Sequence, residues 1–267
     1  MVSFPNAKIN IGLNITERRS DGYHNLESIF YPIAIRDVVE LIEAPELKFT
    51  TSGLEIPGDL KDNLCMKAYG LMGKDYNLPP LHIHLHKHIP IGAGLGGGSS
   101  DAAFFIRLVS DKLRLGLTDE QMEAYCRLLG ADCAFFVKNK PVFAFGKGDE
   151  FKQIDLDLAN HFIVLVMPDV QISTSEAYRG IKPAKPQIPL LELIRLPANE
   201  WKNSARNDFE DPIFKNHPSI RGVKASLYEA GALYASMSGT GSSVYGIFTK
   251  KIELPDLEKN NRVFYGV

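Results

Sequence analysis

Apolar and polar residues alternate strictly near the start of the chain. Ile9, Ile11, Leu13 and Ile15 fall on one side, and Lys8, Asn10 and Asn14 on the other. A period of two marks a half-buried strand, so residues 7–15 are predicted to be extended, with the lysine and asparagines on its polar side. Residues 37–42 and 47–51 read as further strands. Residues 63–72 carry Leu64, Ala68, Leu71 and Met72 at helical spacing. Alternation returns over 81–89, with Leu81, Ile83, Leu85 and Ile89 on one face and His82, His84, His86 and His88 on the other. Such a row of imidazoles suggests a metal site. No accompanying carboxylates or fixed geometry support one, and a solvated strand face is the reading adopted.

Helical periodicity takes over at 99–113, where Ala102, Phe105, Ile106, Val109 and Leu113 recur at spacings of three and four. In the next helix Thr118 and Gln121 have the spacing of a capping box. Met122, Tyr125, Cys126 and Leu129 form its stripe, and Gly130 is placed to stop it. Residues 142–145 and 161–167 are strand-like. Residues 219–230 form an amphipathic helix with Ile220, Val223, Leu227 and Ala230 inward and Gly231 as its cap. Residues 233–237 and 244–248 read as strands flanking a glycine turn. The stretch 182–197, with Pro183, Pro186, Pro189 and Pro197, reads as an irregular connection. Strands and helices that mix without strict alternation predict an α+β protein of two lobes. The boundary is placed near 149–160, giving lobes at 1–153 and 154–267.

At 267 residues and 45% apolar composition the chain can bury a sizeable core. A net charge of −2 argues against a general nucleic-acid binder. It leaves room for a local phosphate site, which needs only a few converging donors. Cys65, Cys126 and Cys133 form no CxxC pair, which suits reduced thiols in the cytoplasm better than a disulfide scaffold. The first thirteen residues lack the basic start and unbroken apolar run of a secretory signal. No stretch approaches the ~20 apolar residues of a membrane helix. The expectation is a soluble cytoplasmic protein with a small-molecule partner, no nucleic acid and no membrane.

The strongest chemical signal is Pro90-Ile91-Gly92-Ala93-Gly94-Leu95-Gly96-Gly97-Gly98-Ser99-Ser100-Asp101-Ala102-Ala103. It follows a strand and opens a helix. Glycine permits positive φ and close backbone approach, and a helix start offers unpaired N–H groups with partial positive charge. Together they make an anion cradle, to which Ser99 and Ser100 add hydroxyls. No GKS or GKT follows, so this is not a Walker loop, and the acidic residue of a dinucleotide fingerprint is missing. Lys8 and Asp132, the latter just after Gly130, are further candidates. Each taken alone also reads as a solvated lysine or a turn aspartate. The turn Ser236-Met237-Ser238-Gly239-Thr240-Gly241-Ser242-Ser243 reads equally well as a hairpin loop or as a second glycine motif.

Three segments in order resemble the motifs of the GHMP kinases. They are Pro5-Asn6-Ala7-Lys8-Ile9-Asn10, the glycine-serine loop from Pro90, and the turn from Ser236 to Ser243. Arg18-Arg19-Ser20-Asp21-Gly22-Tyr23-His24, Asp62-Asn63-Leu64, Gly130-Ala131-Asp132 and Asn207-Asp208-Phe209-Glu210 resemble the branch of that family that acts on a cytidine diphosphate derivative. The resemblance implies an N-terminal ribosomal S5-like lobe and a C-terminal ferredoxin-like lobe. It implies ATP-dependent phosphorylation of the 2-hydroxyl of 4-diphosphocytidyl-2-C-methyl-D-erythritol in non-mevalonate isoprenoid precursor synthesis, by a monomer or weak homodimer.

Carried over by position, Asp132 would be the catalytic base and Lys8 its partner. Pro90, Gly92, Gly94, Leu95, Gly96, Gly97, Gly98, Ser99 and Ser100 would hold ATP, with Asn63 and Lys87 near the nucleotide. Asn10, Tyr23, His24, Tyr178, Gly239, Thr240 and Gly241 would line the acceptor side, Tyr178 against the cytosine ring. Mg²⁺ is implied as a companion of ATP, and its protein ligands are left open. Asp101 and Cys133-Ala134 depart from the residues usual at those places. Asp101 brings a negative charge to a phosphate loop, so its side chain should turn away or serve magnesium. Two other readings are kept open: a GHMP kinase for another alcohol, such as mevalonate or homoserine, and a catalytically dead member used for nucleotide-dependent binding. Lys8 and Asp132 together argue against the second.

Overall fold

The alternation at residues 7–15 becomes a strand that is longer and drier than its pattern predicts. In the computed structural model, which describes all residues 1–267, it runs from Asn6 to Arg18. Lys8, Asn10 and Asn14 are buried together with the apolar face. The strands are β1 (Val2–Ser3), β2 (Asn6–Arg18), β3 (His24–Arg36), β4 (Val38–Glu43), β5 (Lys48–Gly53), β6 (Leu81–Lys87), β7 (Val142–Phe145), β8 (Glu150–Gln153), β9 (Phe162–Pro168), β10 (Tyr234–Met237), β11 (Val244–Phe248) and β12 (Asn261–Tyr265). The α-helices are α1 (Leu64–Met72), α2 (Gly97–Lys112), α3 (Asp119–Leu129), α4 (Phe135–Lys138), α5 (Thr174–Tyr178), α6 (Leu190–Leu193), α7 (Glu210–Asn216), α8 (Pro218–Glu229) and α9 (Pro255–Glu258). Residue contacts divide the chain into two compact units. One comprises Met1–Ala7, Ile35–Ile91 and Gly96–Lys140, and the other Lys8–Ala34, Gly92–Leu95 and Pro141–Val267.

The first unit is built on a four-stranded sheet in the order β1-β4-β6-β5. Only β5 and β6 are parallel, and α1 lies in the crossover that such a pair requires. Val39, Leu41, Leu81, Ile83 and Leu85 are wholly buried, as are Ala102, Phe105, Ile106 and Val109 of α2. Each large side chain of that set contributes roughly 1.5–3 kcal/mol of transfer free energy. On the other face of the sheet, Thr50 Oγ1 lies 3.0 Å from His82 Nε2 and 2.9 Å from His84 Nδ1. Ser52 Oγ is 2.9 Å from both His84 Nε2 and His86 Nδ1. Strand hydroxyls thus space the imidazoles, and no group of three His, Cys, Asp or Glu is arranged to hold a metal. The capping box of α3 forms, with Gln121 N donating to Thr118 Oγ1 and Thr118 N to Gln121 Oε1. Gly130 ends that helix at φ 176°. It therefore stops α3 where the sequence places the stop, in extended backbone.

The second unit holds two sheets. One has the order β2-β3-β7-β8; β3 is a thirteen-residue strand that the sequence pattern did not announce. The other has the order β10-β11-β9-β12, antiparallel throughout. With helices between β9 and β10 and α9 before β12, this is the split β-α-β arrangement of a ferredoxin-like lobe. Ile220, Val223 and Leu227 of α8 pack with Val164, Val166, Met237 and Val244 in one core. Gly231, at φ +94°, caps that helix as expected. The proline-rich stretch is irregular except for the single turn of α6.

Candidate active site

In the first unit the glycine-serine segment turns directly into a long helix. Gly96 occupies the N-cap of α2 in the left-handed region, φ +69°, and no side chain caps the helix. The first N–H groups of α2 therefore remain for a ligand. Pro90 is buried where the segment begins. Gly97 and Gly98 open the helix, and its first turn closes with Ser100 N donating to Gly96 O at 2.9 Å. The Ser100 hydroxyl is buried with no protein partner. Ser99 hydrogen-bonds Cys133, whose thiol is pushed up to about 11 by burial. That bond fastens the turn carrying half-buried Asp132 to the start of α2. Asn63 caps α1, its Oδ1 accepting from Cys65 N at 2.9 Å.

Lys87 does not reach the surface. Its ammonium, 4% exposed, bonds Asp37 Oδ2 and, at 2.7 Å, Asp101 Oδ2. Burial works to discharge this ammonium, but Asp101 and Asp37 outweigh it and hold its pKa above the usual lysine value. Asp101 has thus turned away from the loop, toward a lysine and not toward solvent.

In the second unit the polar side of β2 meets the other part of the glycine segment. Lys8 Nζ donates to Asn10 Oδ1 at 2.6 Å and to Gly94 O at 3.2 Å, and lies 4.8 Å from the centre of the Phe30 ring. Lys8 N donates to Leu95 O at 2.9 Å. Gly92 and Gly94 have φ of +68° and +77°. Lys8, which taken alone also reads as a solvated strand lysine, is 3% exposed, because this side of the strand is covered by loops and not by water. Asn10 Nδ2 donates to Ser28 Oγ at 2.8 Å, and Ser238 Oγ donates to Gly94 O at 2.9 Å. The turn of Gly239, Thr240 and Gly241 is fixed by Asn207, whose Nδ2 donates to Met237 O and Gly239 O, both at 2.8 Å. Buried Glu210 accepts from Met237 N at 2.9 Å and pairs with Lys224 at 2.6 Å. The glycine turn between β10 and β11 is therefore no plain hairpin loop.

At the end of β2 and the start of β3, His24 and Tyr178 stand ring to ring, 5.0 Å apart at 30°. Phe209 supports Tyr178 edge-on at 4.9 Å. Tyr23 beside them is 62% exposed, and Lys147 Nζ lies 5.4 Å from its ring centre. His24, Tyr178 and Phe209, from three distant parts of the chain, thus meet in one aromatic group.

The model of the GHMP kinases N terminal domain matches residues 63–140, and that of the GHMP kinases C terminal matches residues 190–264. A Bacteroides thetaiotaomicron protein named 4-diphosphocytidyl-2-C-methyl-D-erythritol kinase is 52% identical over 99% of this chain and 98% of its own. The chain belongs to the GHMP kinase family. A Bacteroides fragilis relative of the same name is 53% identical over 97% of this chain and 96% of its own. A crystal structure of 4-(cytidine 5'-diphospho)-2C-methyl-D-erythritol kinase matches at TM-score 0.84 and 28% identity, covering 100% of this chain and 98% of that one.

For this GHMP kinase, sequence reasoning left several holders of the site unexplained. Ser28 and Asp37 carried no motif and were not singled out. Ser238, Asn207 and Glu210 lay inside motifs that were quoted, but their hydrogen bonds join positions up to 228 apart in the chain, which no local spacing reports.

Proposed function

We propose that this GHMP kinase transfers a phosphoryl group from ATP to the 2-hydroxyl of 4-diphosphocytidyl-2-C-methyl-D-erythritol, in the cytoplasm, where its three unpaired buried thiols stay reduced. The observation that carries the acceptor reading is the His24–Tyr178 ring pair beside exposed Tyr23. A stacking face with a ring nitrogen at hand suits a nucleobase, and a small acceptor such as homoserine or mevalonate has no use for it.

ATP would supply the electrophilic phosphoryl group, and a divalent cation such as Mg²⁺ bound with it would neutralise phosphate charge. The orphaned Ser100 hydroxyl and uncapped α2 fit the phosphates of ATP. Gly92, Gly94, Gly96, Gly97, Gly98 and Ser99 present backbone and hydroxyl donors, and Pro90, Leu95, Asn63 and Lys87 shape the nucleotide side. Asp132 accepts the proton of the attacking hydroxyl, a tertiary alcohol too weak an acid to release it unaided. Lys8 places positive charge where negative charge moves during transfer, and Asn10 holds its ammonium in place. Gly239, Thr240 and Gly241 border the acceptor.

ADP release measured with ATP and a panel of acceptors tests the proposal. Turnover with the diphosphocytidyl substrate, and at least a hundredfold less with mevalonate, phosphomevalonate and homoserine, is expected. Equal turnover of a small alcohol refutes the cytidyl assignment, and release independent of acceptor refutes the kinase reading.

A further inference from the structure

Both ends of the glycine loop are tied to one buried ion cluster. On the entering side Asp37 Oδ1 accepts from His88 N at 2.6 Å and from Ile89 N at 2.8 Å. These are the residues that carry β6 into the loop. On the leaving side Asp101 belongs to the opening turns of α2. Lys87 joins the two, bonding Asp37 and Asp101 at once. A Cβ built on Gly97 would lie 3.0 Å from Lys87 Nζ and 2.9 Å from Ile89 Cγ2. The cluster therefore sits directly beneath the first residue of the helix.

We propose that Asp37, Lys87 and Asp101 are positioning residues for the nucleotide, a clamp that sets the distance between the strand entering the phosphate loop and the helix leaving it. The inference rests on the reading of that loop as the ATP site. It changes the part played by Lys87, which acts through the loop it fastens and not as a group offered to the nucleotide.

The clamp carries one carboxylate too many. One ammonium answers one carboxylate, and a second buried negative charge is costly. Asp101 Oδ1 is buried without a hydrogen-bond partner, which makes ionisation there costlier still. The groups facing Asp101 are Lys87 from β6, Asp37 before β4 and the buried thiol of Cys65 on α1, with Cys133 beyond it. Burial, with Asp37 adding to it and Lys87 opposing, raises the Asp101 carboxyl to about 8. Below that pH Asp101 is protonated and the trio is neutral. Above it the trio gains a negative charge beside a helix start meant for phosphates.

The test is ATP affinity against pH, by calorimetric titration of ATP and by the KM of ATP and of acceptor, for the native protein and for D101N and D37N. If only the protonated clamp binds, the native dissociation constant rises about tenfold between about pH 7 and about pH 9, from an ionisation at about 8. A phosphate monoester's second ionisation, about 6, lies below that window. D101N keeps the shape and cannot ionise, so its ATP affinity stays level across the window, with acceptor KM unchanged. D37N leaves Lys87 without its fixed counter-charge and raises the KM of ATP at least severalfold at neutral pH, again sparing that of the acceptor. A native ATP affinity that is level with pH overturns the inference, as does a D101N profile that keeps the native slope, or a D37N protein with both KM values raised alike. A chain that binds no ATP at any pH overturns the ATP-site reading, and this inference with it.

Discussion

Replacing Gly94 with alanine puts a methyl group where there is no room. An ideal Cβ at that position lies 1.9 Å from Ser238 O and 2.7 Å from the Ser238 carbonyl carbon. Both are backbone atoms that cannot rotate aside. A comfortable contact needs about 3.5 Å, so the loop and the β10–β11 turn must part by more than about 1 Å. The left-handed φ of +77° adds about 1–2 kcal/mol for a residue with a side chain. At about 2–4 °C per kcal/mol for a chain of this size, the φ cost alone lowers the melting temperature of Gly94→Ala by roughly 2–8 °C, and the clash lowers it further. The catalytic loss is larger. The Gly94 carbonyl accepts from both Lys8 and Ser238, so moving it moves the ammonium, and a displacement of about 1 Å at a reacting centre costs ~10²-fold. Scanning calorimetry and steady-state kinetics measure the two effects. Gly222→Ala is the control. Gly222 lies inside α8 with open space at its Cβ, and alanine there should stabilise by roughly 0.5–1 kcal/mol without touching turnover. A Gly94→Ala protein with native kcat/KM, or one no worse than the Gly222 variant, would refute the close approach of loop and turn.

Asp132→Asn should lower kcat by ~10² or more, the scale of a lost general base; single-turnover kinetics with near-native rates would remove Asp132 from that role. His24→Ala takes away one ring of the pair with Tyr178, a contact of about 0.5–1.5 kcal/mol. It should raise acceptor KM severalfold and leave that of ATP alone, and equal shifts in both would contradict a nucleobase face. The raised Asp101 carboxyl makes the folded chain hold a proton that the unfolded chain has released between about 4 and about 8. Stability therefore falls as pH climbs through that window. Urea unfolding at several pH values should show the decline in the native protein and a flatter line in Asp101→Asn; parallel lines would place the ionisation elsewhere.

Much of the architecture could be read from periodicity. The helices α1, α2, α3 and α8 and the strands β4, β5, β6, β7, β9, β10 and β11 fall within a few residues of where apolar spacing put them. Local chemistry carries such elements, since a cap, a stripe and a stop all lie within one window of chain. The strand β3 escaped because its largely buried run Ile29, Phe30, Tyr31, Pro32 and Ile33 shows no clean alternation and holds a proline. The burial of the polar side of β2 is hidden from the pattern for a different reason. Alternation reports which residues share a face and says nothing about what will cover it.

The same limit divides the site. The glycine-serine run, the tyrosine-histidine pair and the family motifs were legible because each is a continuous string with its own conformational needs. Whether Lys8 would be wet or dry, and which way Asp101 would point, was not. Those answers depend on long-range hydrogen bonds, from Lys8 to Gly94 and from Lys87 to Asp37 and Asp101. By itself the sequence determined most of the elements, their order and a glycine-serine run that opens a helix, since these follow from backbone preferences and neighbouring side chains. Only the tertiary structure decided which charges are buried together, because the cost of burying a charge depends on partners that the chain brings from elsewhere.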